Sequence, residues 1–243
     1  MIFEKQIMDL FKTQLDIEDA PPQERYLFKP FIGSSHLWAL KQLASLSNDA
    51  RVLDVGAGGG GIGRTLEARG ITDLFAVEID PRADKDLSPT YKKIARTLDQ
   101  YDGEKFDAIL LLDIIEHTSN PQDYLEKAYN LLNPSGILLV SVPNIAHWSI
   151  RIALIFGYFE YTSRGILDPT HQQFFTRKRI LKMLEISKFE ICESSGSVVP
   201  IELLLPVRWR TAWPVQLFAK FRTQAVKLAP SLCAYQHLIK ATL

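Results

Sequence analysis

Acidic residues are missing from the last 41 positions of this 243-residue chain: none follows Glu202, while Arg208, Arg210, Lys220, Arg222, Lys227 and Lys240 add six positive charges. Over the whole chain the charges cancel, with 28 Lys plus Arg against 28 Asp plus Glu, so no overall field gathers nucleic acid. Cysteine is scarce. Only Cys192 and Cys233 occur, without metal-ligand spacing, which excludes a disulfide scaffold and fits a reducing compartment. No apolar run approaches the roughly 18 residues of a membrane span. The first ten residues contain Glu4 and Asp9, where a secretory signal would need a basic start and an unbroken apolar stretch. The expectation is a cytoplasmic protein, with contact at the inner face of the membrane left open by the basic C-terminal stretch. Repeats and low-complexity tracts are absent too, and 47% hydrophobic with 23% charged residues is an ordinary globular balance.

What is present alternates. Residues 1–32 read as a short helix, a Pro21-Pro22 break and an aromatic-rich arm, expected to act as a lid or docking arm before a domain spanning 33–243. Ser34 or Ser35 caps a helix carrying Leu37, Leu40, Leu43 and Leu46. Strands are expected at Val52–Val55, Leu74–Ile79, Phe106–Leu112 and Ile137–Val142, with helices over Ile62–Arg69 and from Pro121 through Leu132. Thr176 caps a further helix to about Ser187, Phe189–Glu193 is a strand, and Cys233–Thr242 is a final strand. The stretch 81–105 is charged and yields no clear element. Continuous apolar strands alternating with helices predict an α/β fold, a mostly parallel sheet covered on both faces.

The first strand runs into Gly56-Ala57-Gly58-Gly59-Gly60-Gly61-Ile62-Gly63. Missing side chains let a chain turn sharply and approach a ligand, and backbone amides at the following helix start face it. Glu78 ends the next strand, 18 residues after Gly60, where a carboxylate can accept from both hydroxyls of a ribose, and Asp54 adds a second carboxylate just before the loop. The spacing of Gly56, Gly58 and Gly61 also satisfies the dinucleotide fingerprint, so the glycines alone leave a nicotinamide cofactor open. Against an NAD-dependent oxidoreductase stand the small room for a second half-fold and the placing of the one Tyr-x-x-x-Lys pair, Tyr101 and Lys105, in a charged turn.

The strings V-L-D-V-G-A-G-G-G, A-V-E-I-D, F-D-A-I-L-L-L-D-I-I-E-H and L-L-N-P-S-G-I-L-L-V-S-V-P-N resemble, in order, the motifs of class I S-adenosylmethionine-dependent methyltransferases. That resemblance implies a Rossmann-like sheet of seven strands with the last antiparallel. It implies that Gly56, Gly58 and Gly60, with Ala57, line the methionine and ribose of S-adenosylmethionine. Asp54 would then lie near the amino group, Glu78 and Ile79 at the ribose end, and Asp113 beside the methyl group. Many relatives place a Gly-Asp pair after the third strand, the Asp contacting adenine; here Arg96-Thr97 stand there, so either Asp99 substitutes or backbone and packing hold the ring.

Asp113, Glu116 and His117 resemble the E-x-x-E-H motif of ubiquinone-pathway O-methyltransferases, associated there with a divalent cation; they could hold Mg²⁺ through a shorter first arm, or border the cofactor without metal. Residues 144–175 form a long polar and aromatic insertion, expected to roof the acceptor, whose strings P-N-I-A-H-W, G-Y-F-E-Y and G-I-L-D-P-T-H-Q-Q-F-F-T resemble a bacterial branch tied to polysaccharide and sugar modification. The resemblance implies methyl transfer to a hydroxyl or amine of a sugar or glycan precursor. A quinone-type O-methyltransferase and a non-catalytic S-adenosylmethionine-binding protein are the alternatives. A hydroxyl acceptor must lose a proton, and His171, His147 and His117 are the candidate bases. Finally, 200–230 interleaves basic and apolar residues, and after Pro214 one helix face would carry Leu217, Phe218, Phe221, Ala225 and Leu228, suited to a membrane interface, to the sheet or to a second copy in a homodimer.

Overall fold

A computed structural model describes Phe28 and residues 33–162, 165–199 and 213–243. Apart from Phe28, the expected N-terminal arm and residues 200–212 of the basic segment lie outside the described residues. The described elements run α1 (Ser35–Gln42), β1 (Arg51–Val55), α2 (Gly61–Glu67), β2 (Asp73–Val77), α3 (Asp84–Leu87), β3 (Lys93–Ala95), β4 (Phe106–Leu112), α4 (Pro121–Leu131) and β5 (Leu132–Pro143). They continue with α5 (Trp148–Ile155), α6 (Arg177–Ile186), β6 (Glu190–Gly196), α7 (Trp213–Leu228), α8 (Pro230–Cys233) and β7 (Gln236–Thr242).

The strands form one sheet in the order β3-β2-β1-β4-β5-β7-β6. The first five pair in parallel, and β7 runs antiparallel between β5 and β6, as the seven-stranded expectation has it. The apolar strands divide their side chains by the two-residue period of extended chain. Leu53, Val55, Phe75, Val77, Ile109, Leu111, Leu138 and Val140 face Leu125, Ala128 and Leu131 of α4 and Ile180 and Leu184 of α6. Val52, Leu74, Ala76, Ala108, Leu110 and Leu139 face Leu37, Leu40 and Leu43 on one side and Ile62, Leu66 and Leu87 on the other. Continuous hydrophobicity in β1, β2 and β4 is therefore the mark of a sheet buried on both faces.

Local signals set the boundaries. Ser34, rather than Ser35, caps α1 by accepting from the Leu37 N–H at 3.1 Å, Asn120 caps α4 ahead of Pro121, and Thr176 caps α6. The charged stretch 81–105 holds α3, β3 and a 3₁₀ turn at Leu98–Tyr101, all too short to write a period into the sequence. The expected Asn133–Gly136 turn is absorbed into β5 as a register shift: Leu132 pairs with Phe106, and pairing resumes at Ile137 opposite Ala108. The final strand begins at Gln236, because Pro230 opens a turn of helix first.

Three rings lock the amino-terminal edge of the sheet. Phe75, Tyr101 and Phe106 meet edge to face with centroids 5.3–6.1 Å apart, and the Arg51 guanidinium lies over Phe75 and Phe106 at 4.7 and 5.0 Å. Phe106→Ala should lower the unfolding free energy by about 3–5 kcal/mol in urea denaturation, as a large buried ring truncated to a cavity does; a loss under about 1 kcal/mol would contradict this packing.

Candidate active site at the carboxyl edge of the sheet

All parallel strands end on one edge, and there the chain gathers its polar residues. After β1, Gly56, Gly58 and Gly60 have φ of +75°, +53° and +72°, a succession of left-handed residues that only glycine adopts readily. The Gly56 N–H donates to the Val77 carbonyl at 2.7 Å, tying the turn to the end of β2, and a Cβ there would fall 1.9 Å from Ile114 Cδ1. Glu78, one residue past β2, bends across the turn: its Oε2 accepts from the Gly58 N–H at 2.9 Å and its Oε1 from the Asp80 N–H at 3.0 Å. Ile79 beside it is 77% exposed, a bare apolar surface next to a carboxylate. Ala57 packs at the margin of the second core cluster.

Asp54 lies beneath the turn, buried, and its Oδ2 accepts from the Tyr91 hydroxyl at 2.7 Å. The same hydroxyl accepts from the Gly63 N–H at 3.2 Å, so a phenol joins the first strand to the start of α2. Burial pushes the Asp54 carboxyl up from 3.8 to about 6, offset in part by the Tyr91 hydrogen bond and reinforced by the charge of Glu78. Tyr91 escaped the sequence reading because it stands 37 residues away in the unparsed stretch, with no motif around it. Phe28 also reaches the turn: a Cβ on Gly61 would meet its Cβ at 2.4 Å, and its ring stacks on His36 at 5.6 Å.

Past β3, the Arg96 guanidinium donates to the Glu78 carbonyl at 2.7 Å and pairs with Asp84. Asp99 turns to Lys127, whose ammonium lies 2.8 Å from its carboxylate. The carboxylate expected near the adenine is thus engaged on α4, while Arg96 braces the strand end that carries Glu78.

The acceptor side begins with Asp113, immediately after β4, at φ +56°. Such backbone costs roughly 1–3 kcal/mol and must be held by its surroundings. Ser141 Oγ donates to Asp113 Oδ1 at 2.8 Å, and Gln236 Nε2 lies 2.7 Å from both oxygens. Neither Ser141 nor Gln236 was among the site residues expected from the sequence, since neither stands in a motif that marks it. Glu116 and His117 occupy the following 3₁₀ turn, Ile115–His117. Glu116 is fully buried and neither of its carboxylate oxygens has a hydrogen-bond partner. Burial, with the nearby charge of Asp113, pushes its carboxyl well above the usual range.

The insertion delivers His171 to this turn. Its ends close on each other where the Ile145 N–H donates to the Phe175 carbonyl at 3.0 Å. The N–H groups of Gln172 and Gln173 both donate to the Glu116 carbonyl, at 2.8 and 3.0 Å, and Gln172 Nε2 donates to the His117 carbonyl at 3.0 Å. The His117 and His171 rings meet edge to face with centroids 4.8 Å apart. Burial pulls the His171 imidazole below its ordinary value. His147, the third candidate base, stands apart from this pair. It is the N-cap of α5, its Nδ1 accepting from the Ser149 N–H at 3.4 Å, so its lone pair is spent on the helix. Asn144 is likewise structural, its amide donating to the Ala234 carbonyl at 2.8 Å. Elsewhere in the insertion Ile166, Leu167 and Phe175 are buried, while Trp148, Ile155, Phe156, Tyr158 and Tyr161 are exposed.

This geometry can be set beside known proteins. Residues 35–194 match the family model described as a methyltransferase domain. The chain belongs to that family. The methyltransferase is 29% identical over 158 residues to a ubiquinone biosynthesis O-methyltransferase of Dinoroseobacter shibae, the match covering 61% of this chain and 63% of the relative. It is 27% identical over 160 residues to the mitochondrial ubiquinone biosynthesis O-methyltransferase of Arabidopsis thaliana, over 61% and 49% of the two chains. The matched stretch thus spans less than two thirds of these relatives. Among solved structures, a SAM-dependent methyltransferase of Archaeoglobus fulgidus superposes with TM-score 0.59 at 17% identity over 87% of this chain and 95% of the other. Haemonchus contortus phosphoethanolamine N-methyltransferase 2, in complex with S-adenosyl-L-methionine, gives 0.56 at 16% identity over 85% and 51%. Membership sets aside the nicotinamide reading of the glycine turn. The residues also suit S-adenosylmethionine: a carboxylate at Glu78 beside the glycine turn, a bare apolar neighbour at Ile79, and a carboxylate at Asp54 beneath the turn.

Asp54 gives a prediction with a defined sign. Its folded value is raised, so its contribution to stability is full at about pH 4 and is lost as pH rises through about 6. Asp54→Asn, which keeps an acceptor for Tyr91, should therefore gain about 2–3 kcal/mol of unfolding free energy relative to wild type between about pH 4 and about pH 7.5. Equal differences at the two pH values in urea titrations would refute it.

Proposed function

We propose that this methyltransferase moves the methyl group of S-adenosylmethionine to a hydroxyl oxygen of an acceptor held between Asp113 and the insertion. The observation that carries this reading is the convergence on one sheet edge of Glu78 at the glycine turn with the Glu116, His117 and His171 cluster. Glu78 takes the ribose hydroxyls, Asp54 the ammonium of the methionine, and Ile79 one face of the adenine, with Asp99 left to its ion pair. Asp113, fixed by Ser141 and Gln236, borders the methyl group. Transfer is an in-line displacement: the acceptor oxygen forms a bond to the methyl carbon as the carbon–sulfur bond breaks onto sulfur, so positioning supplies much of the acceleration. The His171 and His117 pair activates the acceptor hydroxyl for loss of its proton. His171→Ala should lower turnover by about 10²–10⁴-fold while S-adenosylmethionine affinity, read by calorimetry, stays near wild type; lost cofactor binding or unchanged turnover would overturn the role.

The acceptor class we favour is a lipid-linked glycan precursor, in keeping with the sugar-modifying resemblance of the insertion. Support for a membrane-borne acceptor comes from the exposed side chains of α7, Trp213, Leu217, Phe218, Phe221 and Leu228, and from α5, which buries no residue at all. No acidic residue follows Glu202, which favours an anionic surface. Among the described residues no helix is long and apolar enough to cross a membrane, so the contact would be interfacial. A polyprenyl catechol is the second reading, favoured by the similarity to ubiquinone O-methyltransferases. Labelled S-adenosylmethionine offered with lipid-linked glycans, nucleotide sugars and polyprenyl catechols separates the two by which becomes labelled. The protein should co-sediment with anionic but not neutral vesicles, and Phe221→Glu should weaken this. Failure to co-sediment, with dimers in analytical ultracentrifugation, would assign the apolar face to a second copy instead.

A further inference from the structure

We infer that Glu116, His117 and His171 form a binding site for one divalent transition-metal ion, of the zinc, iron or manganese class rather than magnesium. The site deepens the reading above and rests on it only for the chemistry the ion would serve. Each of the three side chains offers one ligand atom, and these atoms lie within 4.8 Å of one another.

The hydrogen bonds around the two rings orient them for such a role. His171 Nδ1 lies 3.0 Å from the Ile166 carbonyl, and a carbonyl can only accept, so Nδ1 carries the proton and Nε2 keeps its lone pair. His117 Nδ1 lies 3.3 Å from the Thr170 carbonyl and 3.2 Å from the Thr170 hydroxyl. That hydroxyl donates to Asp168 Oδ1 at 2.6 Å, so it too accepts from the ring, and Nδ1 of His117 is again the protonated nitrogen. Two imidazoles anchored through Nδ1–H to backbone carbonyls, one with a carboxylate behind it, keep their Nε2 lone pairs available to a ligand. This is the outer arrangement that orients metal-binding histidines.

Glu116 supplies the independent observation. A buried carboxyl with both oxygens unpartnered costs free energy that nothing among its neighbours offsets. The turn is nevertheless held in place, since its backbone carbonyls anchor Gln172 and Gln173, the residues that follow His171. A cation is the partner that buried carboxylate lacks.

The ligand set also differs from the one suggested by the Asp113, Glu116 and His117 spacing. Asp113 is engaged by Ser141 and Gln236, and a histidine from the insertion completes the set instead. One carboxylate with two imidazoles suits transition metals, whereas Mg²⁺ prefers an all-oxygen shell. An acceptor hydroxyl on such an ion is acidified, losing its proton to solvent near neutral pH before its oxygen attacks the methyl carbon.

The test uses the full-length protein, stripped by chelator and titrated with Co²⁺, Zn²⁺ and Mg²⁺, with calorimetry for stoichiometry and the visible absorption of Co²⁺ for coordination. The expected result is one Co²⁺ or Zn²⁺ per chain with a ligand-field spectrum, and Mg²⁺ failing to compete. His117→Ala and His171→Ala, both at partly exposed positions, should each weaken binding by more than about tenfold, and Asp113→Asn should leave it unchanged. Glu116→Gln should weaken it while keeping the fold, checked by circular dichroism. Absence of Co²⁺ and Zn²⁺ binding, preference for Mg²⁺, or wild-type affinity in His171→Ala would each overturn the site. S-adenosylmethionine binding by the stripped protein is measured in parallel, so a failed metal site with intact cofactor binding leaves the methyltransferase reading standing.

Discussion

A single carboxylate organises the glycine-turn edge of this molecule. Glu78 accepts from the Gly58 N–H across the glycine turn and from the Asp80 N–H behind it, so the end of β2 and the turn after β1 are held in one piece. The bond forms because the two strands are parallel neighbours and therefore end together. The surroundings serve the same end. Arg96 grips the Glu78 carbonyl, the Gly56 N–H grips that of Val77, and Tyr91 links Asp54 to Gly63 from below. A turn of left-handed glycines would otherwise have many conformations to lose on meeting a ligand. Here the ordering has been done on folding.

The turn after β4 is arranged on a different principle, with polar groups held in unfavourable settings. Asp113 sits in strained backbone, Glu116 is buried without a partner, and the imidazoles of His117 and His171 are aligned rather than tied up with each other. Asp113 is held by Ser141 and Gln236, and the turn that carries Glu116 is held by main-chain hydrogen bonds from Gln172 and Gln173 of the insertion. The insertion therefore does more than cover the site. It brings His171 beside His117, and leaves Trp148, Ile155, Tyr158 and Tyr161 exposed.

How much of this could be read from the sequence follows from how local each signal is. β4 is readable to the residue because Phe106 and the unbroken apolar run Ala108–Leu112, interrupted only by Asp107, have one explanation in an α/β chain, and the Asn120-Pro121 and Thr176 caps mark helix starts by their own chemistry. β3 was hidden because three residues with an exposed lysine carry no period. The glycine turn and Glu78 were legible through spacing. Tyr91, Ser141 and Gln236 were not, since each acts through a contact that exists only once distant segments are folded together. The three histidines illustrate the same limit. Residue type nominates all of them equally, and only the hydrogen-bond partners separate a helix cap at His147 from the facing pair at His117 and His171.

The account stands or falls on where the cofactor lies. A crystal structure of the protein with S-adenosylhomocysteine tests this directly. It should show the ribose hydroxyls on Glu78, the amino group over Asp54, and the sulfur facing Asp113 and the His117–His171 pair. A nucleotide bound away from the glycine turn, or a sulfur directed away from Asp113, would contradict the assignment of this edge as the methyl-transfer site.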